Sequence, residues 1–159
     1  MKAFLTVLLS LATCAAADLR LGIIGTDTSH VGAFTKILND PANKDHIPGA
    51  KVVAAYKGGS ADVESSYKRV DNYAKELQEK YQVEIVPEIS ALCGKVDAIL
   101  LESVDGRKHL PQAREAFKCG KPVFIDKPLA STLADAQEIA RLAKAANVIS
   151  TASELEQRL

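Results

Sequence analysis

The chain has no tryptophan and few aromatic residues, with four tyrosines and four phenylalanines among 159 positions. Platforms that stack nucleic-acid bases are built from such rings, so their scarcity argues against that role. There is no excess of either charge: 20 Lys plus Arg stand against 20 Asp plus Glu. A balanced chain without a basic block lacks the electrostatic footprint of a nucleic-acid binder. Cysteine and histidine number three each. None of them falls in a C-x-x-C or H-x-x-x-H spacing, so no metal centre is expected. What remains is 47% apolar and 25% charged, the composition of an ordinary globular domain of one core.

Long apolar runs are also missing, apart from residues 3–12. That run follows Met1 and Lys2 and precedes Ala15-Ala16-Ala17. A short positive start, an apolar stretch too short to span a membrane and small residues at a cleavage point make a secretory signal. Residues 1–17 are therefore expected to be removed, leaving an exported (periplasmic or extracellular) chain with no membrane span. An uncleaved N-terminal anchor is the alternative. A lipoprotein signal at Leu11-Ala12-Thr13-Cys14 ranks lower, because Thr13 suits that site poorly. Cleavage removes Cys14 and leaves Cys93 and Cys119. In an exported domain the two can pair. Their apolar neighbours at helix ends favour two buried free thiols instead.

From Leu19 onward, strand and helix patterns alternate. Apolar strand runs are read at 19–25, 51–56, 84–86, 96–101, 122–125 and 148–151. Between them, helical spacing is read at 31–38, 70–81, 89–93, 111–118 and from 132. Asn39-Asp40-Pro41 stops the first helix, Gly120 caps the one opened by Pro111, and Ser131 or Thr132 caps the last at its N-terminus. Continuous apolar strands separated by helices imply a six-stranded, mostly parallel sheet with helices on both faces: a doubly wound α/β, Rossmann-like fold. Such sheets bind ligands beyond the carboxyl ends of their strands. The loops after strands one, two, four and five are expected to converge there on one crevice.

Two segments resemble a known family. One is Gly22-Ile23-Ile24-Gly25, which ends the first strand and opens a helix. The other is Phe124-Ile125-Asp126-Lys127-Pro128-Leu129-Ala130 after the fifth. Their order and spacing resemble the glucose–fructose oxidoreductase / inositol dehydrogenase / MocA family. Its members carry a glycine-rich dinucleotide turn and, downstream, a Glu-Lys-Pro motif. The resemblance implies a nucleotide-binding domain over residues 18–152, with 153–159 starting the connection to a second α/β domain that holds the substrate. The chain is then expected to be a fragment or truncated product, inactive alone. Its implied partners are a nicotinamide nucleotide (NADP or NAD) and, through the missing domain, a small sugar-like substrate.

The turn itself departs from the family's G-x-G-x-x-G pattern. It reads Gly25-Thr26-Asp27-Thr28-Ser29-His30, with Asp27 and His30 where the second and third glycines belong. A carboxylate about 4 Å from a phosphate costs about 1 kcal/mol in water and about 4 kcal/mol at an effective dielectric near 20. Three readings stay open. The cofactor still binds, its pyrophosphate displaced toward Thr28, Ser29 and His30. Or Asp27 caps the helix, accepting N–H groups of Ser29 or His30, in a module that has lost its nucleotide. Or Asp27 and His30 hold another ligand. His30 alone also reads as a packed helix residue.

After the second strand, Lys57 and Ser60 suit a ribose 2′-phosphate, which points to NADP. The alternative is a solvated lysine in a turn. Asp62 and Glu64 come too late to hold the ribose. After the fourth strand, Ser103 and His109 fall where the family lines its cleft, although His109 equally reads as the start of a helix. The resemblance makes Lys127 the catalytic residue, an ammonium that orients a hydroxyl or polarises a carbonyl. Pro128 fixes its turn, in the family often through a cis bond. Asp126 stands one methylene short of the family's Glu. The implied function is an exported NAD(P)-dependent oxidoreductase of a sugar or polyol hydroxyl. The alternative is a non-catalytic Rossmann-like module.

Overall fold

The structure is a computed structural model that describes residues 17–148 and 150–152. The expected signal and the 153–159 connection lie outside the described residues. Among the described residues no helix is long and apolar enough to cross a membrane.

The elements run β1 (Leu19–Ile24), α1 (Ser29–Asn39), β2 (Ala50–Tyr56), α2 (Glu64–Tyr67), α3 (Val70–Tyr81), β3 (Glu84–Val86), a 3-10 turn (Ile89–Leu92), β4 (Ala98–Leu101), a second 3-10 turn (Gly106–Lys108), α4 (His109–Phe117), β5 (Val123–Ile125), α5 (Leu133–Ala145) and β6 (Ser150–Ala152). Five strands lie side by side in the order β3-β2-β1-β4-β5, and the short β6 pairs with β5 at the edge. All pairings are parallel. Strand order reverses at β1, which places a crevice between the loops that follow β1 and β4.

Alternation along the strands sends side chains to two separate cores. Leu21 and Ile23 of β1 face one way and join Val31 of α1 with Leu77 and Tyr81 of α3. Ile24, Ile99 and Leu101 face the other way and join Ala113 and Phe117 of α4 with Ile139 of α5. Burial on both faces is why these strands read as unbroken apolar runs.

Several boundaries shift for identifiable reasons. The fourth strand begins at Ala98 rather than 96; just before it Asp97 clasps Arg20, its carboxylate accepting from the backbone N–H at 2.9 Å and from the guanidinium at 2.7 and 3.0 Å. The sixth strand begins at Ser150 rather than 148, after Asn147 turns left-handed at φ 52°. The segment 89–93 is a 3-10 turn. Helix α2 had no apolar periodicity to announce it.

The two cysteines are not free thiols. Cys93 follows the 3-10 turn, Cys119 follows α4, and the two are joined as a disulfide with Cα atoms 4.8 Å apart. Each was read as lying beside apolar residues at a helix end. The error was to treat those two helix ends as separate, when α4 packs on the 3-10 turn. Closing a loop with a separation of 26 residues stabilises by about 3.5 kcal/mol in the chain-entropy account.

Candidate functional site

The turn after β1 is fixed by its own backbone. Gly25 N–H donates to Tyr56 O at 2.9 Å and Thr26 N–H to Lys57 O at 2.8 Å. The Thr26 hydroxyl reaches Val70 O at 3.0 Å. Gly25 sits at φ +91°, and a Cβ there would stand 2.3 Å from Ser103 Oγ and 2.6 Å from its backbone N. Glycine is therefore required by the approach of the β4 loop.

Asp27 is fully buried and does not cap α1, contrary to one sequence reading. Thr28 is the N-cap, accepting the His30 N–H at 3.4 Å. Asp27 faces the other way: Oδ2 accepts the Ser66 hydroxyl at 2.6 Å and Oδ1 accepts the Val104 N–H at 3.2 Å. One carboxylate thus ties the β1 turn to α2 and to the β4 loop. A second tie runs beside it. The Ser60 hydroxyl donates to Asp105 Oδ2 at 2.7 Å, and Arg107 grips Asp105 and then Asp62, at 2.8 Å each. The guanidinium of Arg107, with help from Ser60, holds the Asp105 carboxyl well below the usual carboxylate range.

The sequence placed Lys57 and Ser60 on a ribose phosphate. In the structure Lys57 Nζ pairs with Asp71 Oδ1 at 2.5 Å on the surface, and Ser60 is buried in the tie just described. Ser103 packs beneath Gly25. His109 is fully buried, with Nε2 at 2.6 Å from Ser103 O and Nδ1 at 3.2 Å from Leu129 O. It is a strut between the segments after β4 and β5 and does not line an open cleft. Gly106 lies against the same turn; a Cβ there would stand 2.9 Å from Pro128 Cγ.

The turn after β5 is on the same rim. The Lys127–Pro128 bond is cis, as the resemblance implied. Asp126 is buried; its Oδ1 accepts the Lys127 N–H at 2.8 Å and its Oδ2 meets His30 Nδ1. Lys127 and Pro128 are exposed, and the Lys127 ammonium has no partner among the described residues. Between these groups, at the end of β4, stands Glu102. It is 1% exposed, and neither carboxyl oxygen has a hydrogen-bond partner among the described residues. Burial, and then the charge of Asp126, push its carboxyl well above the usual range. Sequence reading passed over Glu102; a lone acid closing the most apolar strand was the available signal.

The expected convergence is present, since the loops after β1, β2, β4 and β5 are hydrogen-bonded to one another. They do not fit a dinucleotide seated in the turn itself. The place of the second glycine is filled by the Asp27 carboxylate, and its ties with Ser66 and Val104, together with the Ser60–Asp105 bond, cross the crevice. Polar groups left at the outer lip are Thr28 and the exposed Ser29 at the start of α1, the half-open His30, and Lys127.

The family described as oxidoreductase family, NAD-binding Rossmann fold (Gfo/Idh/MocA) matches residues 19–153. No curated protein sequence matches the chain. Among solved structures, the chain is similar to a probable dehydrogenase from Thermotoga maritima, at 26% identity and TM-score 0.60 over 85% of this chain and 36% of that one. It is similar in fold to a myo-inositol 2-dehydrogenase from Lactobacillus plantarum, at 22% identity and TM-score 0.62 over 89% of this chain and 38% of that one. A dehydrogenase from Clostridium difficile matches at 23% identity and TM-score 0.61, over 85% and 39%. The chain thus spans about two fifths of the solved relatives it matches.

Proposed function

The chain belongs to the Gfo/Idh/MocA oxidoreductase family, and from that premise we propose that it is the nucleotide-binding half of an exported oxidoreductase acting on a sugar or polyol hydroxyl with NADP or NAD. The observation that carries the reading is the turn after β5, where Asp126 meets His30 at the start of α1 and leaves Lys127 exposed on the rim. When bound, the nicotinamide supplies the hydride chemistry. Because the inner turn is occupied, the nucleotide phosphates belong at the outer lip, on Thr28, Ser29 and the first N–H groups of α1, where a helix N-terminus favours anions. Lys127 orients the reacting oxygen, and Pro128 holds the turn that presents it. The substrate is held by a second domain. The Cys93–Cys119 bridge supports export, since such bonds persist in oxidising compartments.

A second reading rests on the two carboxylate ties across the crevice: a non-catalytic Rossmann-like module that has lost its nucleotide. Calorimetric titration with NADP, and separately NAD, divides the two. The oxidoreductase reading expects weak binding by the chain and tighter binding by Asp27→Gly, by up to the several hundred-fold that about 4 kcal/mol represents. Failure of both proteins to bind either nucleotide leaves the module.

A further inference from the structure

The buried carboxylates on the crevice side of the rim are hydrogen-bonded, but the β4–β5 side differs. It holds a histidine whose Nδ1 contacts a buried carboxylate, and beside them a buried carboxyl with no partner. We propose that His30 and Asp126, backed by Glu102, form an acid–base dyad whose Nε2 exchanges a proton with a hydroxyl group of the bound substrate. The choice of a hydroxyl rests on the proposed function, whereas the dyad itself stands on the geometry.

Asp126 is a positioning residue. Its Oδ1 is held by the Lys127 N–H at 2.8 Å, which leaves Oδ2 for His30 Nδ1. A carboxylate in that place keeps the proton on Nδ1 and the lone pair on Nε2, and it stabilises the imidazolium once Nε2 is protonated. The His30 side chain is 34% exposed against 7% for Asp126, and Nε2 has no partner among the described residues. The ring is steadied by Phe34, whose centroid is 5.8 Å away. The step moves one proton: the substrate O–H bond breaks, an N–H bond forms at Nε2, and the electron pair stays on oxygen.

Glu102 explains why the dyad holds one negative charge. Two adjacent ionised carboxylates in a dry site repel, so one keeps its proton. Burial and Asp126 both press Glu102 toward its un-ionised form, while Asp126 has the Lys127 N–H and His30 as hydrogen-bond partners. An imidazole facing a single carboxylate then has a defined tautomer.

The test reads the dyad without turnover. In the histidine-labelled chain, nitrogen-15 NMR at neutral pH is expected to show His30 with its proton on Nδ1. Asp126→Asn, whose amide donates to Nδ1, is expected to shift the proton to Nε2. Infrared spectra are expected to show the C=O stretch of an un-ionised carboxylic acid, sensitive to deuteration and lost in Glu102→Gln. Wild-type His30 carrying its proton on Nε2, or spectra with no such band, overturn the proposal. Both measurements on the unaltered protein are independent of how well the variants fold. Titration of the chain and of Asp27→Gly with NADP and with NAD reports separately on the function. Both signatures without nucleotide binding keep the dyad and overturn the oxidoreductase reading. Nucleotide binding with the wrong tautomer does the reverse.

Discussion

Two parts of one rim have been built by opposite rules. Across the β1–β2–β4 crevice every buried carboxylate has its donors: Asp27 has Ser66 and Val104, and Asp105 has Ser60 and Arg107. At the β4–β5 side, Glu102 has none, and the neighbouring His30 and Lys127 keep polar atoms toward solvent. Satisfied buried charges hold elements together, and removing one partner leaves the others exposed to the full cost of desolvation. An unsatisfied one weakens the fold and persists where something other than stability requires it.

Substitutions on the two sides should therefore differ in sign as well as size. Asp105→Ala leaves the buried Ser60 hydroxyl and the Arg107 N–H without their acceptor, Arg107 itself keeping Asp62, and is expected to lower stability most, by about 3 kcal/mol, read from urea unfolding. Asp27→Ala leaves the Ser66 hydroxyl and the Val104 N–H unpaired, for a loss of about 2 kcal/mol. Glu102→Gln is expected to go the other way, a gain of about 1 kcal/mol at neutral pH, because the ionisable group is removed from a dry site. If Glu102→Gln instead costs as much as Asp27→Ala, the contrast between the two sides collapses. Lys57→Ala, on an exposed pair with Asp71, is expected to change stability by only about 0.3 kcal/mol.

The same contrast has a pH form. The Asp105 carboxyl is lowered in the fold, so its contribution is present above the ordinary aspartate range and is lost as pH falls through the folded value. The Glu102 carboxyl is raised, so its contribution is full below the ordinary glutamate range and is lost as pH rises through the folded value. Stability of Glu102→Gln relative to the unaltered chain should accordingly grow with rising pH, measured as the shift in thermal midpoint across a pH series. A difference that stays flat sharpens nothing and removes Glu102 from the comparison.

Much of the fold was legible in the residues. Strands buried on both faces must be apolar at every position, and helices must show their stripe. Pro41, Gly120 and Thr132 mark ends by local chemistry alone. The site was legible only in part. That Asp27 breaks the glycine pattern is visible in six residues; where its carboxylate turns is not, because Ser66 and Val104 lie 39 and 77 positions away. Lys57 and His109 were given ligands because their places after β2 and β4 were right, while their partners, Asp71 and Leu129, are set by packing. The disulfide failed for the same reason: two separate helix ends hold no record of their meeting. Glu102 was missed because a sequence displays groups and does not display a missing partner.

The bridge between Cys93 and Cys119 turns the intervening chain into a covalent ring. That ring carries β4, Glu102, Ser103, Asp105, Gly106 and His109, which is most of the rim on one side. A protease that cuts at the exposed Arg107 or Lys108 opens the circle without parting the chain. Both ends stay tethered, and this side of the rim keeps its covalent frame after a nick that, once the bridge is reduced, leaves two separate polypeptides.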